Sequence, residues 1–289
     1  MELEFLSSIL PTLKQNSSVL TGPGDDCAVV KCGNINLLLA VDQVTENIHF
    51  TSDTSPERAG AKLVKRNLSD IAAMGGTPLW ALLTISNAEH DLDYLKQFIN
   101  GAEEIAEKYG VPIVGGDTAS LPDKGFTASL TIVGRAEKPV LRSEAKAGDL
   151  VYVTGFIGNS FFSEHHLDFT PHLAEGRILA QHVNAMMDIS DGLLLDVKRL
   201  AEASKVDVVI DGAAVPLRNG AVFPQALSDG EDYCLLFTCS QDIDIEQLFI
   251  QHNISFVPAK IGSVHPGNGK VKLLDNGKEI TLKDFGYEH

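Results

Sequence analysis

Hydrophobic residues recur at intervals of three and four around positions 63–76, a pattern that predicts a helix with one buried stripe. The apolar positions of the stripe are Leu63, Val64, Leu68, Ile71, Ala72 and Met74. Asn67, Ser69 and Asp70 lie in the middle of the same helix. A carboxylate beside a buried stripe is costly to leave unpaired, and no Lys or Arg follows Asp70 within one turn. Asp70 is therefore a candidate for binding a cation.

Further apolar runs predict strands and helices in both halves of the chain. Strands are expected at 28–31, 34–41, 79–86, 111–114, 126–134, 150–154, 206–210, 234–238 and 256–264, and helices over 2–10, from Pro56, and over 91–109, 176–184, 193–204 and 242–252. Strands and helices do not alternate strictly, so the pattern favours an α+β fold over a Rossmann sheet. A polar, basic segment after Glu137 marks a boundary, which predicts domains at 1–137 and 138–289.

Four further stretches place Asp beside glycine or hydroxyl residues. They read GPGDD at 22–26, AVD at 40–42, GGDT at 115–118 and DISDG at 188–192. Glycines at a strand end let backbone N–H groups approach a phosphate, and Asp117 could hold the metal of that phosphate. A convergent set of oxygen ligands without matching cations predicts bound Mg²⁺, the usual companion of phosphate chemistry.

Ordinary structural roles compete with this interpretation. Gly and Asp at 22–26 suit a tight turn for conformational reasons alone. Asp188 and Asp191 precede a predicted helix and could cap it, although capping explains one acid better than two. His165, His166 and His172 are too poorly spaced for one metal site, so an exposed polar loop is expected there.

Composition narrows the class of protein. The 289 residues are 44% hydrophobic and 21% charged, as in folded globular proteins. With 39 acidic and 23 basic residues the net charge is −16, which argues against non-specific binding of nucleic acid or anionic membrane. No secretory signal and no apolar run of membrane-spanning length is evident, so a cytoplasmic protein is expected.

Read in order, the motifs resemble the thiamine-monophosphate kinase family, of the aminoimidazole-ribonucleotide synthetase superfamily. The matching pieces are GDDCA at 24–28, Asp42 with His49, NLSDIAAMG at 67–75, GGDT at 115–118, RSEAKAGD at 142–149, YVTG at 152–155, DISDG at 188–192, GEDY at 230–233 and GYEH at 286–289. They cover nearly the whole chain.

The resemblance implies ATP-dependent phosphorylation of thiamine monophosphate to thiamine diphosphate, with several Mg²⁺ ions and no general base. It also implies a homodimer whose amino-terminal sheets close into a barrel, with a carboxy-terminal mixed sheet and helices. The implied metal ligands are Asp25 or Asp26, Asp42, Asp70, Asp117, Asp188 and Asp191. The implied ATP contacts are Gly116, Asp117, Arg142 and Ser190, and the implied substrate contacts are His49 and Glu231.

The chain departs from the family pattern mainly in its second half. Asn159 stands where Asp is usual, the glycine pair before Glu231 is broken by Asp229, and the tryptophan near the carboxyl end is missing. Phe285 and Tyr287 are the nearest aromatic residues, and Phe285 is expected to contact the acceptor. The alternative is that Phe285 only anchors the tail in the core. Two alternatives stay open: a relative that uses ATP on another acceptor, and a non-catalytic paralogue that binds nucleotide and metal.

Overall fold

A computed structural model describes residues 2–88, 90–281 and 286. It contains two mixed sheets, the first built from strands within 19–136 and the second from strands within 150–280. The predicted mixture of strands and helices in each half is confirmed. Within the described ranges, no helix has both the length and the apolar character needed to cross a membrane.

The first sheet has six strands in the order β1-β2-β3-β6-β4-β5. The strands are β1 (Val19–Thr21), β2 (Ala28–Cys32), β3 (Ile35–Thr45), β4 (Thr77–Asn87), β5 (Ile113–Ser120) and β6 (Phe126–Ala136). The helices of this half are α1 (Glu2–Ile9), α2 (Pro56–Ala73) and α3 (Leu92–Tyr109). Only β4 and β5 pair in parallel among the described strands of this sheet, and β5 lies at its edge.

The second sheet has seven strands in the order β13-β12-β9-β11-β7-β10-β8. They are β7 (Leu150–Val153), β8 (Ala185–Asp188), β9 (Val206–Asp211), β10 (Leu235–Cys239), β11 (Ala259–Pro266), β12 (Val271–Asp275) and β13 (Lys278–Ile280). The helices are α4 (His165–Asp168), α5 (Leu173–Leu179), α6 (Leu193–Ser204) and α7 (Ile245–Gln251). β8 ends at Asp188 and thereby delivers a carboxylate to the first domain.

Helix α2 packs against both domains. It begins after Ser55, whose side chain accepts a hydrogen bond from the Arg58 N–H, and Pro56 occupies its first turn. The inner face of the first sheet and α3 cover one side of the helix. On the other side α5 lies so close that a Cβ built on Gly176 would be 2.2 Å from the Ala72 carbonyl oxygen. Polar side chains of α2 are therefore held between the two domains.

Four predicted element positions were wrong. The helix predicted at 176–184 is α5, which runs from Leu173 to Leu179. β3 continues through Thr45, so Asp42 lies inside the strand and not at its end. GGDT lies within β5 and does not follow a strand. Seven of the eight residues in this edge strand are exposed, so the sequence shows no apolar pattern that predicts it. The histidine segment is not an exposed loop, since it contains α4 and His166 is buried.

Candidate active site

Three carboxylates from distant parts of the chain meet between the domains. Asp26 comes from the loop before β2, Asp70 from α2 and Asp188 from the end of β8, and one oxygen of each lies within 4.8 Å of the others. Ser69 Oγ donates a hydrogen bond of 2.5 Å to Asp188 Oδ2. Among the described residues, Asp26 Oδ2 is buried and has no hydrogen-bond partner. We call these three residues the carboxylate cluster.

The electrostatics of the carboxylate cluster suit a bound cation. Burial raises the pKa of Asp70 well above its ordinary value, and repulsion from Asp42, Asp188 and Asp26 raises it further. Burial likewise raises the pKa of Asp188 and of Asp26. Three ionised carboxylates at this separation are costly unless a cation balances them. Because all the ligand atoms are oxygens, Mg²⁺ fits the donor set.

Arginines pair with the acids around the carboxylate cluster, which corrects the expectation that matching cations are missing. The Arg142 backbone N–H and Nε donate to Asp25 at 3.1 and 3.3 Å, and Nη2 donates to Asp26. Arg66 Nε lies 3.2 Å from Asp42 Oδ2. Asp25, Asp26 and Asp42 are therefore partly neutralised within the protein. Arg142 is held by the loop that carries Asp25 and Asp26, which we call the acidic loop.

Arg66 lies one turn before Asp70 on α2, whereas the sequence expectation considered only cations that follow Asp70. Lys62 lies a further turn before Arg66. Its side chain is fully buried, and its Nζ is 2.7 Å from Glu231 Oε1 and 2.5 Å from the His49 carbonyl oxygen. Burial lowers the pKa of Lys62 to about 8. The spacing of four between Lys62, Arg66 and Asp70 was the available signal for a polar face on this helix.

A cavity of about 590 Å³ adjoins the carboxylate cluster. Its walls include Asp26, Asp42, Arg66, Asp70, Asp188 and Asp191. A second cavity of about 290 Å³ includes His49, Phe161, Glu231 and Tyr233 in its walls. Six residues line both cavities: Ile48, His49, Arg66, Ser190, Asp191 and Tyr233. The two spaces therefore form one cleft. Its larger part contains the carboxylate cluster, and we call it the acidic cavity. The smaller part is the side pocket.

The predicted substrate residues border the side pocket. His49 is buried, and its Nδ1 accepts the Thr45 backbone N–H at 3.0 Å. The Tyr233 hydroxyl donates to Glu231 Oε1 at 3.3 Å, so Glu231 is held from two sides by Tyr233 and Lys62. The backbone of Glu231 has a φ of +64°, and its N–H donates to the Ser190 carbonyl oxygen at 2.7 Å. These contacts fix the position of the Glu231 carboxylate.

Asp188 and Asp191 do not cap α6. The residue before that helix is Gly192, and Asp196 Oδ2 accepts the N–H groups of Ser190 and Asp191 at 3.1 Å each. Asp191 pairs with Arg199 at 2.5 Å and lines both parts of the cleft. The capping alternative is therefore wrong for this segment.

Within one chain, the GGDT stretch lies apart from the carboxylate cluster. Asp42 pairs across the sheet with Leu130, Leu130 with Leu83, and Leu83 with Gly116. Three strand spacings therefore separate the backbones of Asp42 and Gly116, a distance of about 14 Å. Asp117 lies on the exposed edge strand β5, where it pairs with Thr84 of β4. Phe285 lies outside the described residues.

The two halves of the chain match the two domains of the AIR synthase related proteins. The family model for the N-terminal domain of AIR synthase related protein matches residues 24–136, and the model for the C-terminal domain matches residues 157–245. Within this class, the chain belongs to the thiamine-monophosphate kinase family. The kinase of Buchnera aphidicola is 33% identical over 96% of this chain and 94% of its own. That of Bacillus subtilis is 32% identical over 100% and 99%.

Solved structures agree with this assignment. One described as AaThiL complexed with AMPPCP and TMP is 30% identical with a TM-score of 0.84, and the match covers 99% of this chain and 97% of that one. Thiamine monophosphate kinase from Aquifex aeolicus is 29% identical with a TM-score of 0.80, over 96% and 98% of the two chains.

Proposed function

We propose that the protein transfers the γ-phosphoryl group of ATP to the phosphate of thiamine monophosphate, forming thiamine diphosphate. The observation that carries this proposal is the carboxylate cluster facing an acidic cavity that opens into a side pocket. The acidic cavity offers space for polyphosphate and metal, and the side pocket offers the contacts expected for the acceptor. Relatives named for this activity, and one solved with AMPPCP and TMP, support the choice of substrates.

The chemistry of this transfer calls for positioning and charge balance more than for a base. The acceptor is a phosphate that is already largely ionised near neutral pH, so no side chain has to remove a proton from it. Asp26, Asp70 and Asp188 would hold Mg²⁺, with Asp42 and Asp191 nearby in the same cavity. Bound Mg²⁺ would neutralise charge on the phosphates. Arg66 lines both parts of the cleft and supplies a fixed positive charge there.

The structure suits specific roles for two predicted ATP contacts, Arg142 and Ser190. Arg142 remains a predicted ATP contact, and its bonds to Asp25 and Asp26 suggest that it also orders the acidic loop. Ser190 lines both parts of the cleft, which suits a contact with ATP at the point where the two substrates meet.

We further propose a homodimer formed through the outer face of the first sheet. Helix α2 packs on the inner face of this sheet, while the outer face exposes Val41 by 65%, Trp80 by 48% and Leu82 by 45%. Apolar patches of this kind favour association, and closing a barrel with a second copy would cover the edge strand β5. In such a dimer Asp117 would act at the cleft of the second copy.

An assay of acceptor choice tests the proposal. The purified protein is incubated with ATP and either thiamine monophosphate, thiamine or a nucleoside monophosphate, with and without Mg²⁺, and products are separated by chromatography. We expect thiamine diphosphate from thiamine monophosphate only when Mg²⁺ is present. Turnover of another acceptor alone would favour the relative with a different substrate, and nucleotide binding without turnover would favour the non-catalytic paralogue.

A further inference from the structure

We propose that Phe161 forms the aromatic wall of the acceptor site in this chain and stacks on a flat ring of the substrate. The inference rests on the proposed function, since it concerns the side pocket of the same cleft. Apart from the imidazole of His49, Phe161 and Tyr233 are the aromatic residues that line this pocket among the described residues. The side pocket also carries His49 and Glu231.

Tyr233 is poorly placed to offer a free ring face. It is only 2% exposed, and its ring stacks on Phe169 with centroids 4.0 Å apart and planes 19° apart. Phe161 is 42% exposed while it lines the same pocket. The exposed part of its ring is therefore available to a ligand, whereas Tyr233 contributes mainly its position beside Glu231.

The ring of Phe161 is held in place from behind. It stacks on His166 with a centroid distance of 4.6 Å and an angle of 11° between the planes. His166 is itself buried, and its Nδ1 lies 3.3 Å from the Ser160 carbonyl oxygen. A ring fixed in this way loses little conformational freedom when a ligand stacks on it, so more of the contact energy appears as affinity.

The loop before Phe161 is tied to the segment that carries Glu231. Buried Asp232 accepts the Gly158 N–H through both oxygens, at 3.0 and 3.1 Å. Ser160 Oγ donates to the Glu231 carbonyl oxygen at 2.8 Å. The aromatic wall and the Glu231 carboxylate therefore keep a fixed separation across the pocket.

The acceptor proposed above combines a cationic ring with a flat heteroaromatic ring. Both groups gain from an aromatic face, the first by cation–π attraction and the second by stacking. The chemical class of ligand that this wall recognises is therefore a flat, cationic heteroaromatic phosphate. The phosphates of ATP in the acidic cavity carry no ring that could stack on Phe161.

Phe162 offers a matched control. It is adjacent in sequence and 89% exposed, and it does not line the side pocket. Its ring meets that of Phe161 only edge to face, with centroids 6.0 Å apart. Phe161→Ala and Phe161→Leu remove the aromatic face, and Leu keeps most of the apolar volume. Phe162→Ala removes the same chemical group outside the pocket.

Steady-state kinetics with both substrates, calorimetric binding of thiamine monophosphate and melting temperatures test the inference. Phe161→Ala and Phe161→Leu should raise KM for thiamine monophosphate about 3- to 30-fold, with KM for ATP unchanged. Phe161→Tyr should restore the wild-type constant, and Phe162→Ala should leave both constants unchanged. Unchanged acceptor KM and binding in Phe161→Leu, with or without a lower melting temperature, would overturn this role. If the wild-type protein makes no thiamine diphosphate, the proposed function fails instead.

Discussion

Lys62 Nζ in the first domain lies 2.7 Å from Glu231 Oε1 in the second, beside the side pocket that Glu231 lines. The Lys62 side chain is fully buried, while that of Glu231 is 23% exposed. The pair therefore joins the domains and leaves part of the carboxylate available to a ligand. Its position explains why α2 buries a lysine on the face that also carries Arg66 and Asp70.

Lys62→Met should leave Glu231 without its cation. We expect KM for thiamine monophosphate to rise about tenfold and the free energy of unfolding to fall by about 2 kcal/mol, because breaking a buried pair leaves one charge uncompensated. Substrate kinetics and urea unfolding measure the two effects. Lys96→Met, on the exposed face of α3, is the control and should change neither. An unchanged KM for thiamine monophosphate in Lys62→Met would show that Lys62 does not position Glu231 for the acceptor.

The pH dependence of Lys62 has a defined direction. Burial lowers its pKa from 10.5 to about 8, so between these values the unfolded chain holds a proton that the folded protein has lost. The contribution of Lys62 to stability is therefore greatest above pH 10.5 and is lost as the pH falls through about 8. The ion pair between Lys62 and Glu231 has the opposite pH dependence, because Lys62 loses its charge as the pH rises above about 8. We expect kcat/KM for the acceptor to fall above about pH 8.

Comparison with Lys62→Met isolates this ionisation. The alkaline fall in kcat/KM should be absent from the variant, whose activity is already reduced at neutral pH. The stability of the wild type relative to the variant should increase from pH 8 to pH 10. An identical alkaline fall in both proteins would assign the ionisation to another group.

Asp70→Asn should abolish turnover and stabilise the metal-free protein. The amide removes one of three repelling carboxylates and also one charged metal ligand. Mg²⁺ should therefore raise the melting temperature of the wild type but not of the variant. Asp93→Asn, an exposed substitution in α3, should retain both turnover and the response to Mg²⁺. Wild-type turnover by Asp70→Asn would contradict the role of the carboxylate cluster.

Leu82→Glu should weaken the proposed dimer, because it places a charge at an exposed apolar position on the outer face of the first sheet. Light scattering at micromolar concentration should give twice the chain mass for the wild type and a lower mass for the variant. Ile250→Glu, at a comparably exposed position on α7, should leave the mass unchanged. A monomeric wild type would remove the proposed barrel and the role of Asp117 at a second cleft.

The sequence predicted the helices and strands best where a stripe was buried. The α2 stripe and the 193–204 helix appear as expected, since their apolar spacing reflects real burial. The ends of β3 and β5 were misjudged because their residues face the cleft or solvent, and polar exposed strands carry no periodic signal.

The sequence also predicted only part of the site. The sequence predicted Asp26, Asp70 and Asp188 as metal ligands together with four other acids. The structure brings these three carboxylates together, whereas Asp117 lies on an edge strand of the first sheet. The contacts of Lys62 and Phe161 depend on how the domains pack, which one sequence does not encode in any local pattern. Phe285 and its predicted contact with the acceptor lie outside the described residues and remain a prediction.

Transfer of radiolabel from the γ-phosphate of ATP tests the proposed reaction. With wild-type protein, Mg²⁺ and thiamine monophosphate, the label should appear in the terminal phosphate of thiamine diphosphate. Asp188→Asn, which removes one member of the carboxylate cluster, should transfer none. Label found only in inorganic phosphate, or equal transfer by wild type and Asp188→Asn, would contradict the proposed transfer at the carboxylate cluster.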